Sequence, residues 1–158
     1  MPEQPPYHAY AAIVATFMAG LGAVSGLAAL RNRPAQEFRA IDLAVLGLAT
    51  FKASRTLARD KVTSFVREPF VEGEAYDGED ERPVRDSELR QALGELVTCT
   101  RCVGTWLGAG LASLTILAPR TGRLLTTVLA AGAVNDWLQA GFAALAAKSN
   151  ELEEAREA

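Results

Sequence analysis

Ala9–Leu30, AYAAIVATFMAGLGAVSGLAAL, runs for 22 residues without a charged side chain, and its reading decides the class of fold. At about 1.5 Å per residue a helix of this length reaches roughly 33 Å, enough to cross a hydrocarbon core of about 30 Å. The segment therefore predicts a first transmembrane helix. The residues ahead of it, MPEQPPYH, hold no Lys or Arg, so the basic n-region of a cleavable signal is missing and the segment is expected to be retained. Inside it Gly22 and Gly26, with Gly20 nearby, have the spacing that lets a second helix approach closely where lipid supplies no hydrophobic drive.

Working outward, the 158-residue chain is 49% hydrophobic yet 22% charged, a mixture that requires the charges to be segregated. Leu124–Ala147 carries a single charge, Asp136, whereas Glu72–Arg90 holds eight acids and three arginines. Blocks of this kind suit a bilayer with solvated loops better than a soluble core. The net charge of -3, with arginines set among more numerous acids, argues against nucleic acid as a partner, which needs a clustered basic surface.

Between these windows lie two further apolar runs. Ile41–Phe51 continues into KASRTLARDKV, where Lys52, Arg55 and Arg59 share one helical face. A helix over 38–59 spans if the long basic side chains snorkel to one interface, and a re-entrant or interfacial helix is the alternative. Cys102–Ala118 is a 17-residue uncharged run closed by PRTGR, the lower end of a spanning length. Its Gly104 and Gly108 repeat the spacing of Gly22 and Gly26, so a contact between the first and third helices is expected. RDSELRQALGEL leads into this run as an amphipathic helix with Ser87 at its cap and Leu89, Ala92, Leu93 and Leu96 on one side.

The expected architecture is all-α: a small integral membrane helical bundle of three to four transmembrane helices, about 9–30, 38–59, 102–118 and 124–147, forming a membrane domain over 9–147. A polar tail, 1–8, precedes it. An acidic loop, 68–90, forms a solvated hairpin whose charge keeps it in water, and a charged tail, 148–158, extends the last helix. With four spans, the side holding the acidic loop and the C-terminal tail carries Arg59, Lys61, Arg67, Arg82, Arg85, Arg90, Lys148 and Arg156, against Arg31, Arg33, Arg39, Arg120 and Arg123 opposite. The bias predicts a multi-pass protein of the cell membrane with cytoplasmic termini and a charged cytoplasmic loop.

In this topology Lys52 lies roughly 21 Å and Asp136 roughly 18 Å below the outer ends of their helices, at about 1.5 Å per residue. Either charge alone is costly at that depth, so Lys52 is expected to pair with Asp136, or Asp136 with Arg55. Asn135 and Gln139 add polarity near the same depth.

Glu95–Gly108, ELVTCTRCVGTWLG, carries both cysteines of the chain. On a helix Cys99 and Cys102 share a face, and Arg101 between them favours thiolate. Two thiolates are half of a tetrahedral zinc site. Because His8 is the only histidine, a closed zinc or iron site needs Glu95, another carboxylate or a second chain. A thiol–disulfide couple and a purely structural pair are the other readings. At the cytoplasmic end of a helix a reducing compartment disfavours a permanent disulfide, and Trp106, one turn further in, suits the membrane interface.

The run from Phe51 through Arg55, Leu57, Asp60, Lys61 and Arg67, followed by Gly94, Glu95, Leu96, Cys99, Cys102, Gly104 and Trp106, resembles the bacterial membrane proteins grouped as domain of unknown function 1360, some of which carry the label sporulation protein. The resemblance covers roughly Leu43 to Ala118. Lys52 stands where those proteins tend to have arginine, and Arg101 where an aromatic residue is usual. The resemblance implies a small bacterial membrane protein and brings no activity with it.

The expected function is accordingly a non-enzymatic structural or assembly role in the membrane, with the bilayer, further copies of the chain or other membrane proteins as partners. The alternatives are Cys-ligated metal binding, shared between chains, and thiol–disulfide redox chemistry. The latter normally relays electrons through another cysteine pair, which this chain lacks. Neither a nucleophile–histidine arrangement nor a Gly-rich phosphate loop ahead of a helix is present.

Overall fold

A computed structural model describes residues 5–32, 38–73 and 81–157. The expectations placed on residues 1–4, on Arg33 and Pro34, on the centre of the acidic loop at 74–80, and on the last residue lie outside the described residues. The described chain is predominantly helical: α1 (Tyr7–Leu30), α2 (Ala40–Arg59), a one-turn α3 (Ser64–Arg67) between two short 3-10 turns, strands β1 (Val71–Glu72) and β2 (Arg82–Pro83), then α4 (Glu88–Thr98), α5 (Thr100–Leu117) and α6 (Pro119–Glu157).

Local chemistry sets the boundaries. The turn that ends α1 closes at Asn32, whose φ of 49° is the left-handed conformation asparagine tolerates after a helix. Ahead of α2 the Arg39 N–H donates to the Asp42 carboxylate at 3.0 Å, using one of the donors a helix start leaves unpaired. Ser87 caps α4 as expected, its hydroxyl accepting from the Arg90 N–H at 3.3 Å.

Two boundaries differ from those read in the sequence, and the charged tail continues the last helix as expected. The helix over the third apolar run begins at Thr100, two residues early, because the break between α4 and α5 falls at Cys99. PRTGR is both a stop and a start: α5 ends at Leu117 just ahead of it, and Pro119 opens α6, where its fixed φ and missing N–H fit the first helical position. α6 then continues unbroken for 39 residues, taking in the charged tail.

α2 lies at the centre, packed on α5 and α6, which also touch each other, while α1 contacts α5 and α4. The interior between these helices is made of small side chains, with Ala49, Ser54, Ala58, Ala130 and Ala133 buried, so the backbones approach closely. The expected contact between the first and third helices is present, but not through their glycines. Gly104 and Gly108 pack against Ser54 and Thr50 of α2, and nothing lies within 4 Å of the Cβ positions of Gly22 and Gly26. The small-residue seam joins α5 to α2, and α1 leans on α5 through aromatic contact, Phe17 to Trp106 at 5.0 Å between ring centres. Trp106 thus meets another helix as well as the surface. Among the described residues, α1 is the one helix long and apolar enough, by length and composition, to cross a membrane.

Beyond the end of α2 the chain folds into a small cap. β1 and β2 pair antiparallel, Val71 with Pro83 and Glu72 with Arg82, and the Val84 N–H extends the pairing to the Phe70 carbonyl at 3.0 Å. The hairpin expected in the acidic loop is present, but its base is packed rather than solvated: Val71, Glu81 and Val84 are buried. α4 lies across it so closely that a Cβ at Gly94 would stand 2.4 Å from the Phe70 carbonyl oxygen and 2.9 Å from Pro83 Cβ. A Gly94→Ala variant is therefore expected to lose about 1–3 kcal/mol, the usual cost of overpacking, seen as a lowered thermal midpoint in detergent. Gly110→Ala, where nothing lies within 4 Å, should be neutral or slightly stabilising, since alanine is the better helix former.

Candidate functional site

The cap holds most of the charged motif. Every helix leaves its last carbonyls without intrahelical partners, and here Arg67 reaches back to those of α2. Its Nη1 donates to the carbonyls of Leu57 at 2.7 Å and Asp60 at 3.1 Å. On its other edge Nε and Nη2 donate to the two carboxylate oxygens of Glu81, at 2.7 and 2.8 Å. Arg67 has no exposed surface, so this two-pronged pair sits where charge-assisted hydrogen bonds are strongest and an unpaired charge most costly. On the outer side Arg90 donates to the Pro69 carbonyl and pairs with Asp86, tying α4 to the turn before β1.

The cysteines occupy the joint between α4 and α5. Cys99 has extended backbone and forms the N-cap of α5, its sulfur accepting the Cys102 N–H at 3.3 Å. The two sulfurs stand at disulfide-bonding distance, with 5.2 Å between the Cα atoms. Of the readings left open for this pair, a disulfide couple is the one this geometry matches: with Cys99 outside the helix, its side chain folds over the first turn onto Cys102. Cys102 is exposed and Cys99 half-buried.

Glu95 does not join them. One of its oxygens accepts from the Tyr10 hydroxyl of α1 and the other from Gln91 Nε2 at 3.0 Å. Among the described residues no group of three His, Cys, Asp or Glu side chains is placed to hold a metal ion. A zinc or iron ion at this end would take the reduced cysteine pair and find its other ligands outside the described residues.

The remaining motif charges spread along α2 and past its end. Arg55 lies over the Phe51 ring at 5.8 Å, and both line an open groove with Thr50, Ser54, Thr100 and Arg101 beside the cysteine joint. Asp60 closes α2 and offers its carbonyl to Arg67, while Arg59 and Lys61 lie at the surface. Gly104 is the surface on which Ser54 rests. Deeper in the bundle Lys52 Nζ meets Asp136 Oδ2 at 2.8 Å, the pairing its depth predicts, and Arg55 is not the partner. The lysine stem reaches across Gly132, one turn before Asp136, with Cε 3.4 Å from the position a Cβ there would take. Asn135, beside Asp136 in the chain, is exposed.

These elements coincide with the match to a known family. The family model described as Protein of unknown function (DUF1360) covers residues 45–142. The chain belongs to this family. The DUF1360 region takes in nearly all of α2, the cap, α4, α5 and most of α6, and with them Lys52, Arg67, Glu81, both cysteines and Asp136, whereas α1 lies ahead of it. No curated protein and no solved structure matches the chain.

Three parts of the site escaped the sequence reading. Glu81 is one of eight acids between Glu72 and Arg90, and nothing in residue type marks it as the one drawn inside. The Tyr10–Glu95 contact joins residues 85 positions apart, beyond the reach of local pattern. Gly94 was singled out by the family motif, but its close packing on Phe70 and Pro83 was not; the signal available was a glycine inside an otherwise regular amphipathic helix.

The Lys52–Asp136 pair gives a direct expectation. Lys52→Met or Asp136→Asn, each leaving one partner unsatisfied, should cost about 1–3 kcal/mol. The double replacement Lys52→Met with Asp136→Leu should cost clearly less than the sum, because it leaves neither charge without its partner. Thermal midpoints of the four proteins in one detergent measure the coupling.

Proposed function

We propose that this DUF1360 chain is a multi-pass protein of the cell membrane, with α1, α2, α5 and α6 crossing the bilayer and both termini on the cytoplasmic face, and that its role is structural or in assembly rather than enzymatic. The observation that carries this reading is the apolar surface left uncovered by the fold. On α1 Val14, Met18 and Leu30 are exposed, Leu30 at 83%, and on α6 Val128, Leu138 and Phe142 are exposed, Phe142 at 75%. Soluble monomers rarely leave contiguous apolar faces of this extent in water, whereas lipid covers them without cost.

The lengths agree. At about 1.5 Å per residue, α2 and α5 reach roughly 30 and 27 Å, and α6 roughly 58 Å, a span with a solvated extension. The polar contents of the bundle also fit, since Lys52 and Asp136 face each other rather than lipid, as charges at depth must. In this reading the cap is a charged cytoplasmic plate set on the ends of α2 and α5. The open face of α1 around Gly22 and Gly26 is then where a helix of a second copy or of another membrane protein rests.

Three measurements test the topology. Membranes carrying the full chain should retain it through alkaline carbonate extraction, and a fluorescent protein fused after the last residue should fold and emit, as it does in the cytoplasm. In a background with both cysteines replaced by serine, Asn32→Cys should be labelled from outside intact cells by a membrane-impermeant maleimide. Release by carbonate, or labelling of Asn32→Cys only after lysis, contradicts the reading.

A further inference from the structure

We propose that Cys99 and Cys102 form a thiol–disulfide exchange couple that takes electrons from, and returns them to, dithiol and disulfide partners at the joint between α4 and α5. Four observations carry this. The sulfurs are within bonding distance. They sit at the N-terminus of an 18-residue helix, whose unpaired N–H groups and dipole favour negative charge. The Cys99 sulfur already accepts the Cys102 N–H, the contact that holds a thiolate in place once the bond opens. The two sulfurs also differ in access, since Cys102 is exposed and Cys99 half-buried, so an incoming thiolate is directed to one of them.

The charges around the joint act in the same sense. Arg101 lies between the cysteines, and Arg55 of α2 lines the groove shared with Thr100 and Arg101. The one acid nearby in sequence, Glu95 of α4, is turned away by Tyr10 and Gln91. A helix start with two arginines and an occupied carboxylate stabilises the reduced, thiolate-bearing form relative to the disulfide, and a stabilised reduced form makes the disulfide the more readily reduced.

The exchange balances without another cofactor. A thiolate of an external dithiol attacks Sγ of Cys102. The S–S bond breaks, and its electron pair leaves on Sγ of Cys99, facing the Cys102 N–H. The second thiolate of the same reductant then attacks its own sulfur in the mixed disulfide, releasing the Cys102 thiolate, and the reductant departs as a disulfide. Two electrons pass to the chain, and the two protons lost by the reductant are shared with solvent and the new thiols. The reverse sequence reduces a disulfide partner. This inference does not depend on which face of the membrane the joint occupies.

The test uses the full-length protein in lipid nanodiscs, equilibrated in buffers of varied reduced and oxidised glutathione, with free thiols counted by a maleimide mass tag. The expected result is one reversible transition between no tags and two tags per chain, with helical circular dichroism unchanged throughout. With Cys99→Ser, Cys102 should trap glutathione as a mixed disulfide several-fold faster than Cys99 does in the Cys102→Ser protein. Three results overturn the proposal: a bond that opens only when the fold is lost, thiols that never pair under excess oxidised glutathione, or trapping that is faster at Cys99. Tags blocked until a chelator strips a stoichiometric metal would also overturn it and assign the pair to an ion.

Discussion

Arg67 carries a permanent charge and five N–H donors into a place with no contact with water, and a guanidinium so placed must find an acceptor in each direction it points. It finds two carbonyls at the end of α2 and both oxygens of Glu81. One side chain thereby closes the C-terminus of the central helix, fixes where the chain turns after it, and draws the base of the β1–β2 hairpin inward. The position of α4 follows, since it lies on that hairpin at Gly94 with no room for a Cβ. The position of the cysteine joint follows from α4. The cysteine-bearing end of the molecule is thus arranged around a charge that ordinary patterning would have left in water.

The other end of the argument is the bundle itself, where the constraint is distance rather than charge. Ala49, Ser54, Ala58, Ala130 and Ala133 allow α2, α5 and α6 to pack with little between their backbones, as small residues do where apolar surroundings offer no drive for burial. That closeness makes room for a single long side chain, Lys52, to reach across Gly132 and meet Asp136. Both interactions set one cation against one carboxylate. They differ in setting: the Lys52 and Asp136 side chains are 27% and 38% exposed, while Arg67 and Glu81 are sealed, so the second pair is the more demanding on its surroundings.

Much of this was legible in the sequence where a local rule or a depth argument applied. The helical class, the cap at Ser87, the run of α1 and the partner of Lys52 came from periodicity, capping chemistry and counting residues from the expected helix ends. The family was legible from two separated motifs in order. What was not legible depended on contacts distant in sequence. PRTGR has the composition of a break, yet proline at a helix start favours the helix it opens. Gly22 and Gly26 have the same spacing as Gly104 and Gly108, but only the latter face a helix, and spacing alone does not say which. The break at Cys99, which turns two helical cysteines into an N-cap and its partner, lies inside a stretch with no Gly or Pro to announce it.

The central claim is that the Arg67–Glu81 pair joins the hairpin to the end of α2, and a double-mutant cycle on Arg67→Met and Glu81→Leu tests it most directly, read by thermal or denaturant unfolding of the full chain in one detergent. Each single replacement strands a buried charge and should cost about 3–5 kcal/mol. The double replacement should recover a large part of the summed loss. Single losses below about 1 kcal/mol that simply add would contradict it, since surface pairs behave that way.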